Sequence, residues 1–252
     1  MRDLNAPQHV IALNGGRVEQ AETCTFHLSP EVVGYADAQI DDYGGRGGAF
    51  HWWPGTTLSL RARFSHDVAT LQGTAGFGFW NAPYGDPSRR RPRLPGAAWF
   101  FFASAPSDLP FAPEGAGQGW FAGTIDVRPS AAVAMLPLSP AVLLLNQIAA
   151  ARRRIWPAVR RRLGIHAKSI AADMTTWHDY RLEWRTDGTR FLVDGAPLLV
   201  TPQSPRGPLG FICWLDNQYL MLTPRGRFRA GTHHTGIQQW MEIADLHLDS
   251  GD

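Results

Sequence analysis

Between Trp177 and Gly195 the chain reads WHDYRLEWRTDGTRFLVDG, a run that calls for an antiparallel sheet. Tyr180, Leu182 and Trp184 alternate with Arg181, Glu183 and Arg185, which is the period-two pattern of a strand with one buried face. Asp187-Gly188 follows, a pair that tolerates the positive φ angles of a tight hairpin. Phe191 and Val193 then alternate back with Arg190 and Asp194, and a second pair, Asp194-Gly195, leads into Leu198, Leu199 and Val200. The stretch predicts a three-stranded antiparallel meander with two Asp-Gly turns.

The same pattern recurs along the chain. Strands are predicted at His9 to Leu13, Thr23 to Leu28, Tyr35 to Tyr43, Thr57 to Phe64, Ala75 to Trp80, Ala97 to Ala103, Trp120 to Val127 and Trp240 to Leu248. In AGFGFW (75–80) glycine alternates with aromatic residues, so one face of that strand admits a close approach by backbone, rings or a ligand. Gly44 to Gly48, Asn81 to Pro95, Ser104 to Gln118, Pro224 to Arg227 and Gly231 to Gly236 read as loops or turns. The first of these lacks the GxxxxGK[ST] spacing of a phosphate-binding loop. Ser139 to Gly164 breaks the pattern. An N-cap serine, a first-turn proline and apolar residues at helical spacing predict a helix, kinked at Pro157 and ended by Gly164.

The words of the organising stretch resemble the concanavalin A-like lectin/glucanase superfamily, and within it the family 16 glycoside hydrolases and their non-catalytic relatives. The likeness continues through Pro208-Leu-Gly-Phe-Ile-Cys-Trp214 and the closing run QWMEIADLHL (239–248), and touches Tyr35 to Arg63. It implies an all-β fold: a two-sheet antiparallel β-sandwich, the concanavalin A-like jelly roll, here with a helical insertion around 139–164. No linker or composition break divides the chain, so residues 1–252 are expected to form one domain.

Retaining glycosidases need two carboxylates roughly 5–5.5 Å apart. The resemblance would place them on one strand as Glu-x-Asp-x-Glu, and this chain contains no such string. Where that strand is expected stands Ala97-Ala-Trp-Phe-Phe-Phe-Ala103. Family 16 hydrolysis is therefore not expected, and the floor of the cleft should be apolar. Trp53, Trp80, Trp99, Phe101, Trp120 and Trp214 are the candidate lining, with Asn217, Gln218 and Tyr219 as polar ligand contacts and Asp41, Asp42 and His51 as candidate catalytic groups.

Three functions fit. The first is a hydrophobic or polycyclic small molecule held in an aromatic cleft under the 139–164 helix, with a cyclisation or isomerisation step conceivable there. That reading fails if the cleft is filled by its own side chains. The second is a carbohydrate-binding or carbohydrate-active module, since exposed tryptophans stack on sugar faces. The third is a peripheral protein docked on an anionic membrane, or self-associated, through 140–163. From Val127 to Ala172 there are eight basic residues and no acid, so with a net charge of +2 the remainder carries −6. The basic stretch is short and carries no RNA-binding or helix-turn-helix signature, so nucleic acid is not an expected partner.

No cofactor is expected apart from a structural calcium, which the resemblance would place at Asp245 on the closing strand. The pair His178-Asp179 reads as a feature of the fold rather than as an acid–base couple, and His233-His234 as a surface loop. Cys24 and Cys213 are too few for a disulfide scaffold. The N-terminal MRDLNAPQHV has no apolar run of signal-peptide type, which points to the cytoplasm.

Overall fold

The computed structural model describes residues 9–44, 49–82, 94–109, 117–131 and 139–251. The Gly-rich loop at 45–48 and most of the Pro/Arg-rich loop after Trp80 lie outside them. Among the described residues the strands are β1 (His9–Leu13), β2 (Gly16–Gln20), β3 (Cys24–Leu28), β4 (Asp37–Asp41), β5 (Thr56–Phe64), β6 (Thr74–Trp80), β7 (Gly96–Ala103), β8 (Gly119–Asp126), β9 (His166–Ser169), β10 (His178–Arg185), β11 (Gly188–Val193), β12 (Ala196–Thr201), β13 (Gly210–Asp216), β14 (Gln218–Leu222), β15 (Phe228–Thr232) and β16 (Gln239–Ser250). The helices α1 (Ser139–Gln147) and α2 (Ala149–Arg162) lie between β8 and β9.

One seven-stranded sheet has the order β1-β4-β13-β6-β7-β8-β9 and the other β12-β11-β10-β5-β16-β3-β2; β14 and β15 form a separate hairpin. Every pairing within the two large sheets is antiparallel. The predicted meander is β10-β11-β12. Its second turn has both central residues at positive φ, Asp194 at 51° and Gly195 at 73°, the type I′ geometry that matches strand twist.

The two sheets bury their facing side chains against each other. Phe77 and Phe100 from the first sheet meet Tyr180 from the second at ring separations of 5.2 and 5.1 Å, and Phe79 meets Trp184 at 5.5 Å. Both cysteines are buried free thiols, and burial pushes the Cys24 thiol up to about 12. The first sheet is apolar on its outer face too, where a second cluster gathers around Trp99, Phe101 and Trp214.

Three local expectations are corrected. The insertion breaks at Ile148, which is extended at φ −88°, ψ 118°, and not at Pro157, which sits inside α2. Pro157 and Arg153, whose carbonyl loses its helical partner, are both exposed residues. The break at Ile148 is held from the side: Asn146, fully buried, donates to the Pro224 carbonyl (2.9 Å), and Arg152 donates to the Asn146 carbonyl (2.9 Å). Second, α1 does not turn its aliphatic face inward, for Leu144 is 71% and Ile148 60% exposed. Third, the turn read at Pro224 to Arg227 joins two strands, β14 and β15, and the loop read from Gly231 begins inside β15.

Candidate functional site

The outer face of the first sheet is assembled by register. On β4 the alternation sends Asp37, Gln39 and Asp41 outward while Ala38 and Ile40 join the core. Asp37 stands opposite Asp216 of β13, which stands opposite Thr74 of β6. The next row runs Gln39, Trp214, Gly76, Phe101, Phe121, and the one after it Asp41, Ile212, Gly78, Trp99.

The glycines of GFGFW therefore lie on this outer face, and rings of the same face occupy the space above them. A Cβ on Gly76 would come within 2.8 Å of the Trp214 ring, and one on Gly78 within 2.6 Å of Trp99 Cβ. Trp99 stacks on Phe101 at 5.2 Å and meets Trp80 at 5.8 Å and Trp214 at 5.6 Å. Trp99 is 8% and Trp214 6% exposed, so the floor is filled largely by its own rings; Trp80 is half-buried. Trp80 Nε1 donates to the Tyr43 hydroxyl, and Trp214 Nε1 donates to Thr74 Oγ1 (2.9 Å), whose hydroxyl donates to Asp216 (2.8 Å).

The carboxyl groups on this face differ in their surroundings. Asp41 accepts from Gln39 Nε2 (2.8 Å) and from the backbone N–H groups of Tyr43 and Gly44, with His9 Nδ1 at 3.3 Å. Asp216 accepts from the backbone N–H groups of Gln218 (2.9 Å) and Thr74 (3.2 Å), but its burial outweighs them and pushes its carboxyl up to about 6. Asp37 is pushed further, to about 8, first by burial and then by the negative charge of Asp216, partly offset by a bond from Tyr35. Among the described residues its Oδ1 has no hydrogen-bond partner. Of the two carboxyls, Asp37 is therefore the one held more strongly toward its protonated form.

Other sequence candidates are placed elsewhere. Trp120 is the cross-strand partner of Phe102 and shares its phase, so it belongs to the inter-sheet core, edge-on to Phe64 and Phe77 with Nε1 3.3 Å from the Tyr180 hydroxyl. Phe121, its neighbour, takes the outer face instead. Asp42 accepts from Trp52 Nε1 and from the Phe211 N–H (2.8 Å), pinning the chain to β13. His51 is exposed and, among the described residues, makes no hydrogen bond to Asp41 or Asp42. The catalytic trio expected from sequence is therefore not a bonded unit. Trp53, 56% exposed, precedes β5 of the second sheet and lies against Gly207. Gln218 is exposed beside Asp216, and Tyr219 is half-buried on β14 with His233 at 5.4 Å.

Asn217 is a structural clamp. Buried, it accepts from the Ala36 N–H (2.9 Å) and donates to the Gly34 (2.8 Å) and His233 (3.0 Å) carbonyls. Asn217→Ala leaves the buried Ala36 N–H and two partly exposed carbonyls without this partner and is expected to cost about 1–3 kcal/mol. A urea titration of the variant beside the wild type checks this; an unchanged midpoint would contradict it.

Asp245 sits at positive φ (52°) in a bulge of β16, exposed, with its carboxylate 3.6 Å from Arg61 Nη1. Among the described residues no group of three or more His, Cys, Asp or Glu is placed to hold a metal. His178 pairs with Asp194 (2.7 Å), not with Asp179 as its neighbour in sequence, and ties β10 to the β11–β12 turn. Missed in the sequence were Asp37, Gln39 and Asp216. The alternation Asp-x-Gln-x-Asp across 37–41 was the available signal, but a partner 179 residues away shows only in three dimensions.

No family model and no curated sequence matches this chain. Solved structures do. An endo-β-1,4-glucuronan lyase from the fungus Trichoderma reesei superposes with a TM-score of 0.51 at 11% identity, over 98% of this chain and 92% of that one. A GlcNAcα1-4Gal-releasing endo-β-galactosidase from Clostridium perfringens gives 0.52 at 10% identity, over 96% of this chain and 58% of that one. The carbohydrate recognition domain of Emp47p gives 0.51 at 9% identity, over 100% and 91%. At such identities the likeness is one of fold, and that fold is the concanavalin A-like jelly roll.

Proposed function

We propose that the protein binds carbohydrate across the outer face of the first sheet, over Trp80 and along the Asp37-Gln39-Asp41 strand. The observation that carries this reading is the layout of that face, where the half-buried Trp80 indole and Gln39 amide lie over a buried aromatic cluster and the buried Asp37 and Asp41 carboxyls. Pyranose rings present an apolar C–H face and a rim of hydroxyls, and such a surface answers both. The neighbours in fold support the reading by what their names say they act on or bind.

A compact apolar molecule is the second reading, favoured by the aromatic floor. It would have to displace Trp99, Phe101 and Trp214 from one another, whereas a saccharide resting on half-buried Trp80 and Gln39 leaves that cluster in place. Asp37, held toward its protonated form beside Asp216, is the group through which a binding site of this kind could protonate a leaving oxygen.

The test is a panel of neutral and uronate-containing oligosaccharides followed by tryptophan fluorescence. Trp80→Ala and Gln39→Ala are each expected to weaken the best binder about tenfold, the equivalent of one charge- or ring-assisted contact. A panel without a binder, or a binder indifferent to both substitutions, would overturn the proposal. Product formation in the same mixtures, lost in Asp37→Asn, would extend it to catalysis.

A further inference from the structure

Helix α1 and the β14–β15 hairpin are fastened to each other. Asn146 donates to the Pro224 carbonyl and Gln147 Nε2 to the Arg225 carbonyl (3.1 Å), while the Leu143 side chain lies over Gly226 at the hairpin tip. The two elements thus make one raised edge of the molecule, remote in sequence and joined in space.

That edge is apolar where it meets solvent. Leu144, Leu145 and Ile148 of the helix segment are exposed together with Leu143, and on the hairpin Leu222 and Phe228, which are register partners, are exposed as well, Phe228 at 71%. Apolar side chains left outside in this number on joined elements mark an interaction surface. The surround is basic. Arg225, Arg227 and Arg229 are exposed on the hairpin, and Arg153 and Arg154 on α2. Neither 127–172 nor 217–236 contains an acidic residue.

We infer that this edge docks on an anionic lipid bilayer, with α1 lying in the plane of the interface and Phe228 inserted beside it. Apolar side chains rimmed by arginines and free of acids are the composition that in-plane anchors use. None of the described helices is long and apolar enough to cross a membrane, and α1, nine residues and therefore roughly 13 Å long, fits along the surface. A second copy of the chain is disfavoured as the occupant because it would bring two arginine clusters against each other. The lipid surface lets the apolar and the basic groups be satisfied together. The inference is independent of the saccharide reading, since Trp80 and Gln39 are on the outer face of the first sheet and not on this edge.

The full-length protein is to be sedimented with vesicles of phosphatidylcholine containing phosphatidylglycerol, and with vesicles of phosphatidylcholine alone. Binding is expected only to the former, weakening as salt is raised. Removing one arginine by Arg225→Gln or Arg227→Gln should weaken it about fivefold. Leu144→Glu with Ile148→Glu should abolish it, and Phe228→Ser should reduce it. All these positions are exposed, so unchanged far-ultraviolet dichroism and melting temperature are expected and separate lost docking from lost folding. Absence of binding, or equal binding to both vesicles, would overturn the inference. So would a dimer in light scattering that Leu144→Glu with Ile148→Glu dissociates, which would assign the edge to a second copy.

Discussion

Gly78→Val is expected to prevent the protein from accumulating in folded form. Gly78 has φ +151°, and it lies in β6, with β13 on one side and β7 on the other. A Cβ there would stand 2.5 Å from the Ala98 carbonyl oxygen and 2.6 Å from Trp99 Cα. Both are main-chain atoms of the paired strand, so no side-chain rotation relieves the overlap. The strand has to move, which breaks ladder bonds at the middle of a sheet with an apolar cluster on each face. A cost above about 4 kcal/mol is expected, a large share of the roughly 5–15 kcal/mol by which domains are stable. Gly195→Ala is the control. It also has positive φ (73°), but nothing stands within 4 Å of its added Cβ, so only about 1 kcal/mol should be lost. Soluble yield and urea midpoints of the two variants check this; equal losses would show that conformation rather than crowding governs position 78.

The second large effect is on pH dependence. Asp37 and Asp216 are both raised in the folded protein, to about 8 and about 6, against roughly 3.9 for an unfolded aspartate. Between those values the native state holds protons that the unfolded chain has released, so the native state is penalised as pH rises. Stability is therefore expected to decline from about pH 4 to about pH 8 and then level off, by about 2–5 kcal/mol in all, with the two carboxyls titrating as a coupled pair. Asp37→Asn removes the more strongly raised group. It should melt higher than the wild type at pH 8.5, by about 2–4 °C for each kcal/mol recovered, and close to it at pH 4. Melting curves of the two proteins that stay parallel from pH 4 to 9 would show that Asp37 is not strained by its surroundings.

Much of the sandwich was legible in the residues because alternation and turn chemistry are local. The meander from Tyr180 to Val200, its Asp194-Gly195 turn and the split of β7 into Trp99/Phe101 against Phe100/Phe102 all follow from period two. What alternation cannot give is phase relative to a partner. Trp120 resembled a cleft tryptophan until its register opposite Phe102 turned it inward. The strands of the β14–β15 hairpin, on either side of the turn at 224–227, stayed hidden because none of their residues is buried and they carry no alternation. Ile148 breaks the insertion through a side chain, Asn146, bonded to a carbonyl 78 residues away. The Asp37–Asp216 pair is non-local in the same way, and on the outer face it is the pairing of distant strands that brings these groups together.

The neighbouring indoles described above have an optical consequence. Trp80 and Trp99 are 5.8 Å apart and inclined by 34°, and Trp99 and Trp214 are 5.6 Å apart and inclined by 46°. Transition dipoles that close and that skewed exchange excitation, so the three chromophores absorb as one coupled, chiral unit. The protein is therefore expected to show a split circular-dichroism band that belongs to one surface of one sheet. Whatever settles on Trp80 will change that band, giving a label-free spectroscopic report on the occupancy of this face.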